Sequence, residues 1–134
     1  MPITIHRGLL ISAGVCGFFG VLAGTFGAHG LKDRLTADLL NTFEIGVRYH
    51  LVHAVALLAI AVIAGMLPHS RLPRVAGWFM TAGIVIFSGS LYVLAMTGEK
   101  WLGMITPFGG GAFLIGWILL AACGFRMART TRAV

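Results

Sequence analysis

Among the residues of this chain, the ones able to do chemistry are His29, Tyr49, His50, His53, Ser88, Ser90, Tyr92 and Thr106. Histidine titrates near neutral pH and can pass protons. His50 and His53 are spaced i to i+3, share one side of a helix, and can converge on a metal. A metal site would also need carboxylate or thiolate company, and the sequence puts none beside them, so no metal or cofactor is assigned. Ser88 and Ser90 have no histidine held by a carboxylate, and there is no phosphate-binding loop, so no catalytic residue is assigned. The plainer chemistry for this set is mutual hydrogen bonding.

The elements that carry these residues are apolar. Of the 134 residues, 58% are hydrophobic and only 10% charged, with a mean hydropathy of +0.94. A soluble domain carries charge on about a quarter of its residues, so the solvent expected here is a lipid bilayer. About 20 helical residues rising 1.5 Å each cross a hydrocarbon core of roughly 30 Å. The uncharged runs 8–28, 75–96 and 101–125 meet that length, and the shorter run 51–67 extends upstream through Tyr49 and Phe43. The expectation is an all-α integral membrane four-helix bundle forming one transmembrane domain over 1–134. Its spans fall near 8–28, 43–67, 74–96 and 106–125, and a basic tail occupies 126–134. The first run has the order of a signal sequence, with small residues at Ala23 and Gly24, but it is longer than a signal core and reads as a span.

A formal net charge of +6 does not point to nucleic acid, because the bases sit at the ends of apolar runs and form no single polar face. With four spans, Arg7, Arg71, Arg74, Arg126, Arg129 and Arg132 share one side with no acid among them. Lys32, Arg34, Arg48 and Lys100 share the other with Asp33, Asp38, Glu44 and Glu99. The positive-inside rule then places both termini in the cytoplasm. Cys16 and Cys123 fall within apolar runs and read as inert packing thiols.

Gly14, Gly17, Gly20, Gly24 and Gly27 recur every three or four residues along the first span, which leaves one side without bulk and predicts close approach of another helix. Gly46, Gly109 and Gly110 are assigned the same packing role. Gly30 is expected to stop the first helix. Thr36 caps a second, long helix whose amino-terminal part lies at the interface. On that helix Glu44 and Arg48 fall opposite Tyr49, His50 and His53, so the charged pair faces outward and the histidines inward. Pro68 and Pro73 bracket a short loop before the third span. Thr106 and Pro107 read as the cap and first residue of the fourth helix, after a loop or brief turn from Trp101.

Antiparallel threading brings 25–29, 49–53, 88–92 and 106–111 to one depth in the half of the bundle away from the termini. These same stretches carry a resemblance. Gly27-Ala28-His29-Gly30, Thr42-Phe43 with Gly46, Tyr49 and His53, Phe87-Ser88-Gly89-Ser90-Leu91-Tyr92, and Ile105-Thr106-Pro107 with Gly109-Gly110 together resemble the YgdD-like family of small bacterial inner-membrane proteins. That family is a domain of unknown function with eukaryotic transmembrane relatives. The resemblance implies a four-span membrane protein and supplies no catalytic residue.

The leading expectation is a non-enzymatic structural or accessory membrane protein, surrounded by lipid and packed as a homo-oligomer or within a larger complex. The alternative is a small proton or solute transporter or channel that uses the His/Tyr/Ser cluster, since ionisable residues inside a membrane are functional candidates by default.

Overall fold

The computed structural model describes residues 4–131, with side chains described as far as Met127. Among the described residues every regular element is helical. The first three long helices span Arg7–Leu31, Ala37–Met66 and Leu72–Thr97; a short 3-10 turn, Lys100–Met104, precedes the fourth, Thr106–Thr131. All four are long and apolar enough to cross a membrane. They run antiparallel in succession. The first packs on the second, the third on the fourth, and the second on the third, whereas the first and third touch only slightly.

Local chemistry sets most of the boundaries. Nδ1 of His6 accepts the Leu9 N–H at 3.3 Å at the start of the first helix. Thr36 Oγ1 accepts the Leu39 N–H at 3.4 Å at the start of the second. Pro73 sits in the first turn of the third helix, where its missing N–H costs nothing. That helix ends at Gly98, whose φ of 74° is the left-handed conformation glycine adopts freely.

Three boundaries depart from the sequence reading. Gly30 does not stop the first helix; the chain continues through a wider π turn, Gly27–Leu31, before leaving the helical path. A second π turn, Ile84–Ser88, lies inside the third helix, where the sequence gives no proline to expect a distortion. The fourth helix runs past Phe125 through 126–131, so the start of the expected basic tail is helical. Arginine, methionine and alanine all favour that state. Arg132 and the rest of 132–134 lie outside the described residues.

The glycines divide sharply. A Cβ on Gly20 would lie 2.7 Å from Leu51, on Gly24 3.3 Å from Val47, on Gly27 3.0 Å from Phe43 and on Gly46 2.8 Å from Tyr92. Gly109 is tighter, because its missing Cβ is replaced by backbone of Phe87, with Phe87 Cα 2.7 Å away. Gly110 only grazes the Phe87 ring at 3.8 Å. Gly14 and Gly17, assigned a packing role from their spacing, have nothing within 4 Å of that position. They border an open groove against Leu51, Val55 and Leu58 of the second helix without closing on it, since the stripe drifts around a 3.6-residue helix.

Two apolar clusters flank the polar residues. Leu9, Leu57, Ile60 and Met80 belong to the larger one, nearer the arginine-rich end, and Leu31, Phe43 and Ala95 to the smaller, at the opposite end.

Gly109→Ala is expected to lower stability by about 1 to 3 kcal/mol, because Phe87 backbone cannot move aside as a side chain could. Gly111→Ala, where a Cβ meets nothing within 4 Å, is expected to be neutral or mildly stabilising. Thermal unfolding of both variants in detergent checks the contrast.

Candidate functional site

Between the two apolar clusters, the second, third and fourth helices bring polar groups together. The π turn decides how the third helix presents them. Its extra residue shifts the register so that Ser88, fully buried, sends its hydroxyl across to the second helix and donates to the Gly46 carbonyl at 2.8 Å. Gly46 has no side chain in the way. Ser90 donates to the Phe87 carbonyl at 2.9 Å and lies 2.8 Å from Thr106 Oγ1 on the fourth helix. Thr106 Oγ1 also lies 3.3 Å from the Leu102 carbonyl, so the protons run either from Thr106 to Ser90 to the Phe87 carbonyl or from Ser90 to Thr106 to the Leu102 carbonyl. Thr106, expected as the cap, is instead the first residue of the fourth helix, and its hydroxyl turns to Ser90 and the Leu102 carbonyl.

His53 is held from both sides. Its Nδ1 lies 2.7 Å from the Tyr49 carbonyl, and Trp117 Nε1 donates to its Nε2 at 3.2 Å. A carbonyl only accepts and an indole N–H only donates, so the imidazole is fixed as the Nδ1–H tautomer. The ring also stacks on Phe113, centroids 3.6 Å apart and planes within 14°. Every hydrogen-bonding position of His53 is taken.

His50 is different. It is 6% exposed, and Nδ1 pairs with the Tyr92 hydroxyl at 3.0 Å. Its Nε2 is buried without a hydrogen-bond partner. The Cys16 backbone faces the ring from the first helix but does not reach hydrogen-bonding geometry with that nitrogen.

Two of the expected residues stand outside this network. His29 is exposed beyond the bundle and joins none of these bonds. Tyr49 is 47% exposed; its ring stacks on Phe87, centroids 4.6 Å apart, and it serves the site through its backbone carbonyl. Its position one turn before His53 explains this, since i to i+4 geometry gives the imidazole the carbonyl. Two contacts escaped the sequence reading. Trp117 carries a signal, being a tryptophan deep within a span, where its N–H must find an acceptor. The Ser12–Thr81 hydroxyl pair, at 2.9 Å between the first and third helices, follows no local pattern. Among the described residues no group of three or more histidine, cysteine or acidic side chains converges as a metal would need.

Comparison with known proteins gives these helices a family. A family model described as "Protein of unknown function (DUF423)" matches residues 23–110. The chain belongs to the DUF423 family. It is 41% identical over 117 residues to the UPF0382 membrane protein YwdK of Bacillus subtilis, covering 87% of this chain and 95% of that one. It is 47% identical to the UPF0382 membrane protein SAB0533 of Staphylococcus aureus, over 78% of this chain and 84% of that one. A UPF0382 membrane protein of Haemophilus influenzae is 43% identical, over 82% and 87%. No solved structure matches. The residues matched by the DUF423 model take in the whole second and third helices and the Thr106 end of the fourth, which are the elements that build the polar cluster.

Trp117→Phe is expected to leave His53 Nε2 without a donor and to cost about 1 to 3 kcal/mol. Tyr49→Phe, which removes a hydroxyl bonded to nothing in the bundle, is expected to change stability by less than about 0.5 kcal/mol. Chemical denaturation in micelles separates the two, and the imidazole nitrogen shifts of His53 read its tautomer directly.

Proposed function

We propose that this DUF423 protein is a non-enzymatic membrane-embedded packing unit that assembles through its first helix, as a homo-oligomer or as an accessory subunit. The observation that carries this reading is that the buried hydroxyls and His53 are engaged in ties between or along helices. Ser88 joins the third helix to the second, Ser90 and Thr106 join the third to the fourth, and Trp117 joins the fourth to His53. Such bonds hold a bundle together in hydrocarbon, where a polar group has no water to turn to.

The first helix is the least buried of the four. Its outward side combines Gly14 and Gly17, open to their surroundings, with exposed Phe18, Val21 and Leu22. Small residues beside large apolar ones let a second helix approach closely in lipid. The distribution of arginines supports an inner-membrane topology with both termini cytoplasmic.

Gly14→Leu and Gly17→Leu, separately and together, are expected to leave the protomer folded and to shift the purified protein toward a smaller species by light scattering. Variants that fold and keep the parent mass would overturn assembly through this face. Reconstituted protein is expected to conduct no protons above protein-free liposomes under a pH gradient, and a leak above that level would replace this reading with a transport one. A green fluorescent protein joined to either terminus is expected to fluoresce, as it does in the cytoplasm.

A further inference from the structure

The slight contact between the first and third helices leaves a groove of about 680 Å³ between them, walled by residues such as Val15, Phe19, Phe26, Val85 and Met96. That volume lies within the range of small-molecule sites, about 300–1,000 Å³. The walls are almost wholly apolar, and the polar exception is the pair His50 and Tyr92 from the second and third helices. His50 is more than nine-tenths buried, lines the groove, and has Nε2 unpartnered. An unmet hydrogen-bonding group in hydrocarbon is costly, so one lying just behind the wall of a groove calls for a partner that the groove can bring to it.

The chemistry of the partner follows from depth and polarity. His50 lies within the 30-residue second helix, about 10 Å along the axis from residue 43, where its membrane span is expected to begin, at 1.5 Å per residue. A charged phospholipid headgroup at that depth is strongly disfavoured. A bare acyl or hydrocarbon chain fills the walls but offers nothing to Nε2. When the Tyr92 hydroxyl donates to Nδ1, the imidazole proton resides on Nε2, which then needs an acceptor. An uncharged carbonyl on a flat ring with an apolar tail meets all three demands, and the aromatic walls suit the ring.

We propose that the groove binds a neutral, lipid-soluble carbonyl compound of the isoprenoid quinone type, with a ring carbonyl accepting from His50 Nε2 and the tail lying along the apolar walls. Binding alone is proposed, with no electron transfer. Because Nε2 has essentially no accessible surface, the ring enters with a side-chain adjustment at the wall. Met96 is 52% exposed and, as an unbranched thioether, adapts readily.

The test uses the full chain in detergent micelles, with its melting midpoint followed as decylubiquinone is added and, in parallel, decylbenzene, which has the ring and tail without the carbonyls. A ligand that binds the folded state raises the midpoint according to its concentration relative to Kd. Saturable stabilisation by decylubiquinone and not by decylbenzene is expected. Gly89 lines the groove and a Cβ there meets nothing within 4 Å, so Gly89→Phe is expected to fold and to raise the apparent Kd about tenfold or more by filling the space. His50→Phe, which keeps bulk and removes the donor, is expected to weaken binding about tenfold, the worth of one hydrogen bond. Equal stabilisation by decylbenzene, the absence of saturable stabilisation by decylubiquinone, or parent-like binding by folded Gly89→Phe would each overturn the proposal. If His50→Phe does not fold, the decylbenzene comparison still decides whether the carbonyl is recognised.

Discussion

The π turn at Ile84–Ser88 is where three helices are fastened to one another. One residue of extra winding places Ser88 Oγ on the Gly46 carbonyl and presses Phe87 backbone into the notch left by Gly109. A regular α-helix would rotate everything beyond Ile84 by roughly 100° relative to this arrangement. Ser90 would then miss Thr106, and Tyr92 would leave His50. Close contact and hydrogen bonding reinforce each other here: the small residues bring the backbones together, and the hydroxyls satisfy what that closeness buries.

The two inward histidines show how alike residues acquire different characters from their neighbours. His53 is clamped by a carbonyl on one nitrogen and an indole on the other, with Phe113 flat against its face. Its identity matters as a two-ended connector between the second and fourth helices. His50, three residues earlier on the same helix, faces the first and third helices, which scarcely meet. One of its nitrogens has Tyr92 and the other has no bond. The difference arises from which pair of helices each ring points between.

Much of this architecture was legible in the chain. Apolar run lengths gave the four spans, and the 3.6-residue period separated Glu44 and Arg48 from His50 and His53. The serines, Tyr92 and Thr106 converge as their depths imply. Register was less legible. The spacing of Gly14 and Gly17 matched that of Gly20, Gly24 and Gly27, yet a helix contact covers only part of a glycine stripe, and the sequence does not say which part. Tyr49 and His29 were grouped with the cluster because residue type and depth cannot tell an inward hydroxyl from an outward one. The π turn had no local signal, since it arises from packing among helices distant in sequence.

The partition of contacts also bears on how such a chain enters a membrane. Most of the packing of the first helix is with the second, whereas the third divides its packing almost evenly between the second and the fourth. The first helix can therefore complete the larger share of its burial as soon as the second leaves the ribosome, while the third gains about half of its burial from the second and waits for the fourth to supply the rest. The third helix is fastened to the second where Ser88 meets Gly46. A chain built this way exposes few unmet polar groups between insertion steps, because His53, the member of the second helix that waits for Trp117, already has the Tyr49 carbonyl one turn behind it.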